Sequence, residues 1–218
     1  MLSLRIKAIA TSVGAAHKDT DMDTMKTFGN SNSFLLLLLV VLSTTAQAQT
    51  NSTLTAQQET ELAVQLTADR PIAAGQSYWL EELTWMEIRD LIADGTTTII
   101  IPTGGIEENG PYLATGKHNL ILEATCPEIA EKLGNALCAP IVKFVPEGNI
   151  DPPSGSMLFP GTISLTQATY EALLLDISSS LKQSGFTDIV LIGDSGGNQS
   201  GMANVAAKLT ESWNSESA

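Results

Sequence analysis

Three largely apolar runs stand out along the chain: residues 97–101 (T-T-I-I-I), 137–145 (L-C-A-P-I-V-K-F-V) and 188–192 (D-I-V-L-I). They lack the polar alternation of a strand with one wet face, so each reads as a strand buried on both sides. Between them apolar residues recur at helical spacing. Thr84 with Glu87 three residues on forms a capping box ahead of W-M-E-I-R-D-L-I-A-D, a helix that ends at Gly95. Asn119 is placed to cap a helix running to about Leu133 and closed by Gly134, and Thr166 caps a longer one to about Gln183, stopped at Gly185. A last helix is predicted over residues 203–213. Strands alternating with helices predict an α/β domain whose mainly parallel sheet is covered on both faces. Ligands of such sheets bind beyond the carboxyl ends of the strands. The segments after residues 101 and 192 should therefore open on one edge.

The first part of the chain has a different pattern. Residues 34–42 (F-L-L-L-L-L-V-V-L) are too short a run to span a bilayer, and Ala46-Gln47-Ala48 follows as a cleavage signal, with Lys26 upstream. This predicts a secretory signal peptide over residues 25–48; a membrane anchor is the alternative. Met25 makes the better initiator, and residues 1–24 receive no role. Residues 49–77, rich in Thr, Gln and Ala, read as a flexible lead-in, and the folded domain is expected over 78–218. The product would be exported, to the periplasm or beyond, with no membrane attachment after cleavage.

Charge excludes some partners. With 11 basic against 24 acidic residues the formal net charge is −13, which argues against nucleic acid and anionic lipid. Export would place Cys126 and Cys138 in an oxidising compartment. A disulfide between them and a pair of buried thiols are both compatible with their positions.

The chemistry concentrates in residues 102–119, P-T-G-G-I-E-E-N-G-P-Y-L-A-T-G-K-H-N. Four glycines, two prolines, two adjacent glutamates and the chain's second histidine, His118, follow one buried strand. Gly193-Asp194-Ser195-Gly196-Gly197-Asn198 follows another. Glu107, His118 and Asp194 are side chains of metal-ligand type brought to one edge, a set suited to zinc or manganese, or to iron. The plainer readings are a helix-cap role for His118 and Asn119 and a turn role for Asp194.

At these residues the chain resembles the creatininase (creatinine amidohydrolase) family. The family's first motif, approximately G-S-x-E-Q-H-G-P-H-L-P-L-G-T-D, is matched by G-G-I-E-E-N-G-P-Y-L-A-T-G-K-H, and F-P-G-T-x-S-L is intact from Phe159 to Leu165. N-G-H-G-G-N corresponds to residues 193–198. The resemblance implies a three-layer α/β/α sandwich, a divalent metal, hydrolysis of a C–N bond in a small amide, and homo-oligomers. It also shows departures. Asn109, Tyr112 and Ser195 stand where the family has histidines, and His118 stands where it has an aspartate. The family pattern continues through an H-A-G-x-x-E-T-S segment that this sequence does not contain. An exchange of ligand types would leave Glu107, His118 and Asp194 around a metal; loss of the site would leave a silent ligand-binding or subunit protein.

Secondary candidates are Glu108 as base, Ser195 as nucleophile, and Asn109, Tyr112, Lys117 and Asn198 as substrate contacts. G-D-S-G-G also matches the nucleophile signature of trypsin-like proteases, but the α/β pattern opposes that fold. A Ser195–His118 pair on the α/β scaffold is a further alternative.

Overall fold

A computed structural model describes residues 5–10 and 54–216. The predicted signal peptide and the alternative start at Met25 lie outside the described residues. The chain divides into two units, Ala15–Asp69 and the remainder, Met1–Gly14 with Arg70–Ala218. In the smaller unit the described part is one helix, α1 (Ala56–Thr67), capped by a reciprocal Thr55–Gln58 box and burying none of its residues. The expected flexible lead-in is thus helical over these residues. The reciprocal cap satisfies its first free N–H groups and sets where it starts.

The larger unit holds a four-stranded, all-parallel sheet in the order β1 (Arg5–Ala10), β4 (Asp188–Gly193), β2 (Thr98–Thr103), β3 (Ala136–Cys138). Residues 5–10, given no role from sequence, pair with β4 from Arg5↔Asp188 to Ala10↔Gly193. The remaining helices are α2 (Trp85–Ala93), α3 (Lys117–Leu133), α4 (Gln167–Gln183) and α5 (Gln199–Glu216).

Pleating divides the sheet into two cores. Ile99 and Ile101 of β2 face one side, where Leu174 of α4 and Val205, Leu209 and Trp213 of α5 bury against them, with Ile88 and Leu91 of α2 alongside. Ile100 faces the other side with Cys126 and Ala130 of α3. Each isoleucine is fully buried, a contribution of about 1.5–3 kcal/mol apiece. Helices on both faces make the predicted α/β/α sandwich. Cys126 and Cys138 are joined as a disulfide, tying α3 to β3.

Two boundaries differ instructively from expectation. The run at 137–145 keeps only Ala136–Cys138 as strand. Pro140 has no N–H for the ladder, and beyond it the chain touches its neighbours only at isolated bridges, Val142 to Thr103 and Val145 to Ser164. Helix α3 starts at Lys117, two residues before the predicted cap, with Gly116 in the cap position and no side-chain cap. Asn119 is therefore inside the first turn, and its side chain is used elsewhere. The Thr84–Glu87 box forms as read, and Glu87 reaches further to the Gly75 N–H. The Gly75 N–H, the Thr84 N–H and the Thr84 hydroxyl together hold the Glu87 carboxyl down at about 2.

Candidate active site at the carboxyl edge of the sheet

β2 delivers its loop at the carboxyl edge through a close backbone approach. A Cβ on Gly104 would lie 1.9 Å from Asn119 Oδ1, so only glycine admits that side chain. Asn119 then clamps the loop, its Oδ1 accepting from Gly105 N–H (3.2 Å) and its Nδ2 donating to Gly105 carbonyl (3.0 Å). Asn198, wholly buried, lies with Nδ2 against the carbonyls of Thr103 (3.0 Å) and Gly104 (2.8 Å), binding the loop after β4 to the loop after β2. That is a bracing contact rather than the predicted substrate contact.

The two loops meet as expected. His118, with 5% of its surface exposed, sits between two carboxyl groups: Nδ1 is 2.6 Å from Asp194 Oδ2 and Nε2 is 2.7 Å from Glu107 Oε1. Ser156 Oγ donates to Glu107 Oε2 at 2.9 Å. Burial works against a charged imidazole, but the hydrogen bonds to Glu107 and Asp194 outweigh it and raise the His118 pKa above its ordinary value. The bond from His118, helped by Glu147 and Ser156, holds Glu107 at about 2.

Glu147 was not anticipated from the sequence. It lies in P-E-G-N, a stretch that reads as a plain Pro/Gly loop, and the only signal for it was a carboxylate following an apolar run. Its carboxyl is within hydrogen-bonding reach of Glu107, and burial together with that neighbour pushes it up to about 9. As two carboxylates neither could donate, and Glu147 Oε1 is left buried without a partner. A proton on Glu147 removes the conflict.

The intact F-P-G-T-I-S-L segment explains how these groups are held. Ile163 N–H donates to Ile106 carbonyl (2.9 Å) and Leu165 N–H to Val145 carbonyl (3.1 Å), so the segment lies between the loops bearing Glu107 and Glu147. Ser164 Oγ accepts from Glu147 N–H (2.9 Å) and donates to Gly148 carbonyl (2.7 Å), while Thr162 Oγ1 accepts from Glu108 N–H (3.2 Å).

Other predicted residues lie less centrally. Glu108 Oε1 accepts from Gly110 N–H (2.5 Å) and Asn109 Nδ2 donates to Glu107 carbonyl (3.0 Å), both closing their own turn. Tyr112 is 94% exposed. Lys117 is half-buried at the start of α3, where its charge opposes that of His118. Ser195 is buried, but both His118 ring nitrogens are bonded to other groups, so a Ser195–His118 nucleophile pair is not formed.

The sequence from residue 81 to 218 matches the family model described as creatininase, creatinine amidohydrolase. The chain belongs to the creatininase family. It is 31% identical over 117 residues to a creatinine amidohydrolase of Pseudomonas putida, and 28% identical over 116 residues to a mycofactocin precursor peptide peptidase of Mycolicibacterium smegmatis. These alignments cover 54% and 51% of this chain and 44% of each relative, so the chain spans less than half the length of the curated relatives it matches. Among solved structures it is similar to a creatininase at TM-score 0.59 and 26% identity, covering 66% of this chain and 55% of that one. Similar structures include a manganese creatininase (TM-score 0.57, 27% identity, 65% of this chain and 54% of that one). A zinc–zinc form of a mutant creatininase is also similar (TM-score 0.56, 27% identity, 66% and 54%).

The family therefore points to a divalent metal, and this chain's donors can be tested for fit. Among the described residues no group of three or more His, Cys, Asp or Glu side chains is placed so that it could hold a metal ion. Glu107 and Asp194 sit on opposite ring nitrogens of His118, which point away from each other, so the three do not share a centre. Imidazole and carboxylate are zinc and manganese ligands, so the donor types suit the family's metal although their arrangement here encloses none.

Proposed function

We propose that this chain is a metal-dependent amidohydrolase acting on a C–N bond of a small, possibly cyclic, amide. The observation that carries this reading is the joining of Glu107, His118 and Asp194 within 2.7 Å at the carboxyl edge of the sheet, in a creatininase-family chain. Glu107 and His118 would hold a zinc or manganese ion. Such an ion, when bound, supplies Lewis-acid activation of the amide carbonyl and of water.

The chain's own residues prepare that site. Asp194 holds the proton on His118 Nδ1, which fixes the ring and turns Nε2 toward Glu107. Ser156 fixes the second oxygen of Glu107 and the F-P-G-T-I-S-L segment immobilises the loops. An amide substrate is consistent with the relatives, one a creatinine amidohydrolase and the other a precursor peptide peptidase. Export is supported by the Cys126–Cys138 disulfide. Exposed Tyr112, Leu113, Leu158, Phe159 and Ile163 favour self-association.

The test is ring opening of creatinine and other small cyclic amides, and ammonia release from short peptide amides, by the full chain loaded with Mn²⁺ or Zn²⁺, with His118→Ala as control. Turnover lost in His118→Ala is expected. A metal-loaded wild type inert on the whole panel would overturn this reading in favour of a catalytically silent family member, which the replacement of family histidines by Asn109, Tyr112 and Ser195 favours.

A further inference from the structure

We propose that Asn109–Gly110 is a self-modifying site. The Gly110 nitrogen closes on the Asn109 side-chain amide, ammonia leaves, and water opens the resulting succinimide to aspartate or isoaspartate, with Glu108 taking the amide proton. The reaction needs only water and this loop, so it holds whether or not the proposed hydrolysis does.

The sequence narrows the choice to one asparagine. Ring closure needs the next residue's nitrogen to swing onto the side-chain carbon, and a side chain on that residue obstructs the approach. Of all the asparagines in the chain, Asn109 alone is followed by glycine. Asn119 and Asn198 are buried as well, with their amides clamped on backbone groups. Asn149 is followed by β-branched Ile150.

The structure adds room and a base. Gly110 is exposed at φ 77°, a left-handed backbone that glycine adopts without strain. A Cβ on it would meet no atom within 4 Å, so the turn has space to move. Asn109 Nδ2 donates to the Glu107 carbonyl at 3.0 Å, which keeps its amide within its own turn. Glu108 Oε1 accepts from the Gly110 N–H at 2.5 Å, the very nitrogen that must attack. An amide nitrogen is a poor nucleophile while it keeps its proton, because its lone pair is delocalised into the carbonyl. A carboxylate already bonded to that proton is a positioned general base. The Asp94–Gly95 pair lacks this arrangement: Gly95 N–H is bonded to the Ile92 carbonyl at 3.1 Å, which is no base.

Atoms and charge balance. The Gly110 N–Cγ bond forms as its proton passes to Glu108. The Cγ–Nδ2 bond then breaks, and Nδ2 leaves as ammonia with that proton. Water opens the ring at Cγ to give aspartate, or at the Asn109 main-chain carbonyl to give isoaspartate. Nothing is oxidised or reduced. Either product loses the Nδ2 donor to the Glu107 carbonyl and adds a negative charge beside Glu107 and Glu108. Isoaspartate also lengthens the main chain by a carbon in the loop that carries Glu107.

The experiment incubates the folded full chain at neutral pH and follows the peptide containing residue 109 by mass spectrometry, with isoaspartate read by enzymatic methyl labelling. The peptide should grow heavier by the exchange of an NH for an O and appear as two products, ahead of every other asparagine. Glu108→Gln should slow the conversion at least about 10-fold, and Gly110→Ala should slow it strongly. The folded chain should also convert faster than the same chain unfolded in urea, where Glu108 is no longer held on the nitrogen; this comparison needs no variant to fold. An unchanged peptide while other asparagines convert overturns the proposal. So does an unaltered rate in Glu108→Gln, or a folded chain that converts more slowly than the unfolded one.

Discussion

The middle of the sheet and its carboxyl edge are a few residues apart and solve opposite problems. In the middle, Ile99, Ile100 and Ile101 meet only apolar neighbours on either face, and each packs without needing a specific partner. At the edge, His118, Glu107, Glu147 and Asp194 crowd together, and each is tolerable only because of another. The first region follows from hydrophobic transfer and survives changes of residue that keep volume. The second depends on particular atoms, and taking one away strands the rest.

That contrast can be broken most severely at His118. His118→Ala should cost about 3–5 kcal/mol in metal-free protein, because it leaves buried carboxyl groups unpaired. Urea unfolding measures it. Leu174→Ala in the apolar layer should cost a similar ~2–5 kcal/mol, but the two should differ in pH dependence. Glu107 is depressed from 4.5 to about 2, so its contribution is present above 4.5 and lost as pH falls toward 2. His118 is raised above 6.5, so its contribution is full below 6.5 and fades as pH rises through the folded value. The His118→Ala penalty should therefore be greatest between pH 4.5 and 6.5, and the Leu174→Ala penalty should stay flat. Equal pH profiles would erase the distinction.

Removing the disulfide by Cys126→Ser with Cys138→Ser tests whether the apolar face of α3 stands without its tether. A loop of this length is worth about 2–4 kcal/mol, read as a lowered Tm with the site network intact. Thr84→Ala, which removes one half of the α2 box, should cost about 1 kcal/mol and leave His118 untouched. Glu147→Gln has the smallest effect on metal-free protein at low pH, where the native carboxyl is already protonated. Its folded value, about 9, lies above 4.5, so wild type loses stability relative to Glu147→Gln as pH rises between those limits. A constant difference across that range would remove Glu147 from the network.

The middle of the molecule was legible in the sequence because burial on both faces leaves a continuous apolar run, and the Thr84 and Thr166 caps gave the helix starts. The meeting of His118 with Asp194 was legible too, since parallel topology sends both loops to one edge. What the sequence concealed depends on direction and long-range pairing. Nothing local says that Asp194 faces Nδ1 and Glu107 faces Nε2, or that Glu147 swings across Gly105. Pro140 cut a strand that hydrophobicity alone extended, and residues 5–10 found their role only by pairing with β4, 183 positions away at Arg5↔Asp188. Asn119 resembled a cap because its amide suits one; the same amide instead clamps Gly105.

The central claim is that His118 bridges Glu107 and Asp194 through its two ring nitrogens. Nitrogen-15 NMR of the metal-free full chain, with the His118 signals assigned by their loss in His118→Ala, tests it most directly. Both ring nitrogens should be protonated at pH 6.5, with a midpoint above that value. A ring that titrates at or below 6.5, or that carries one bare nitrogen at pH 6, would contradict it.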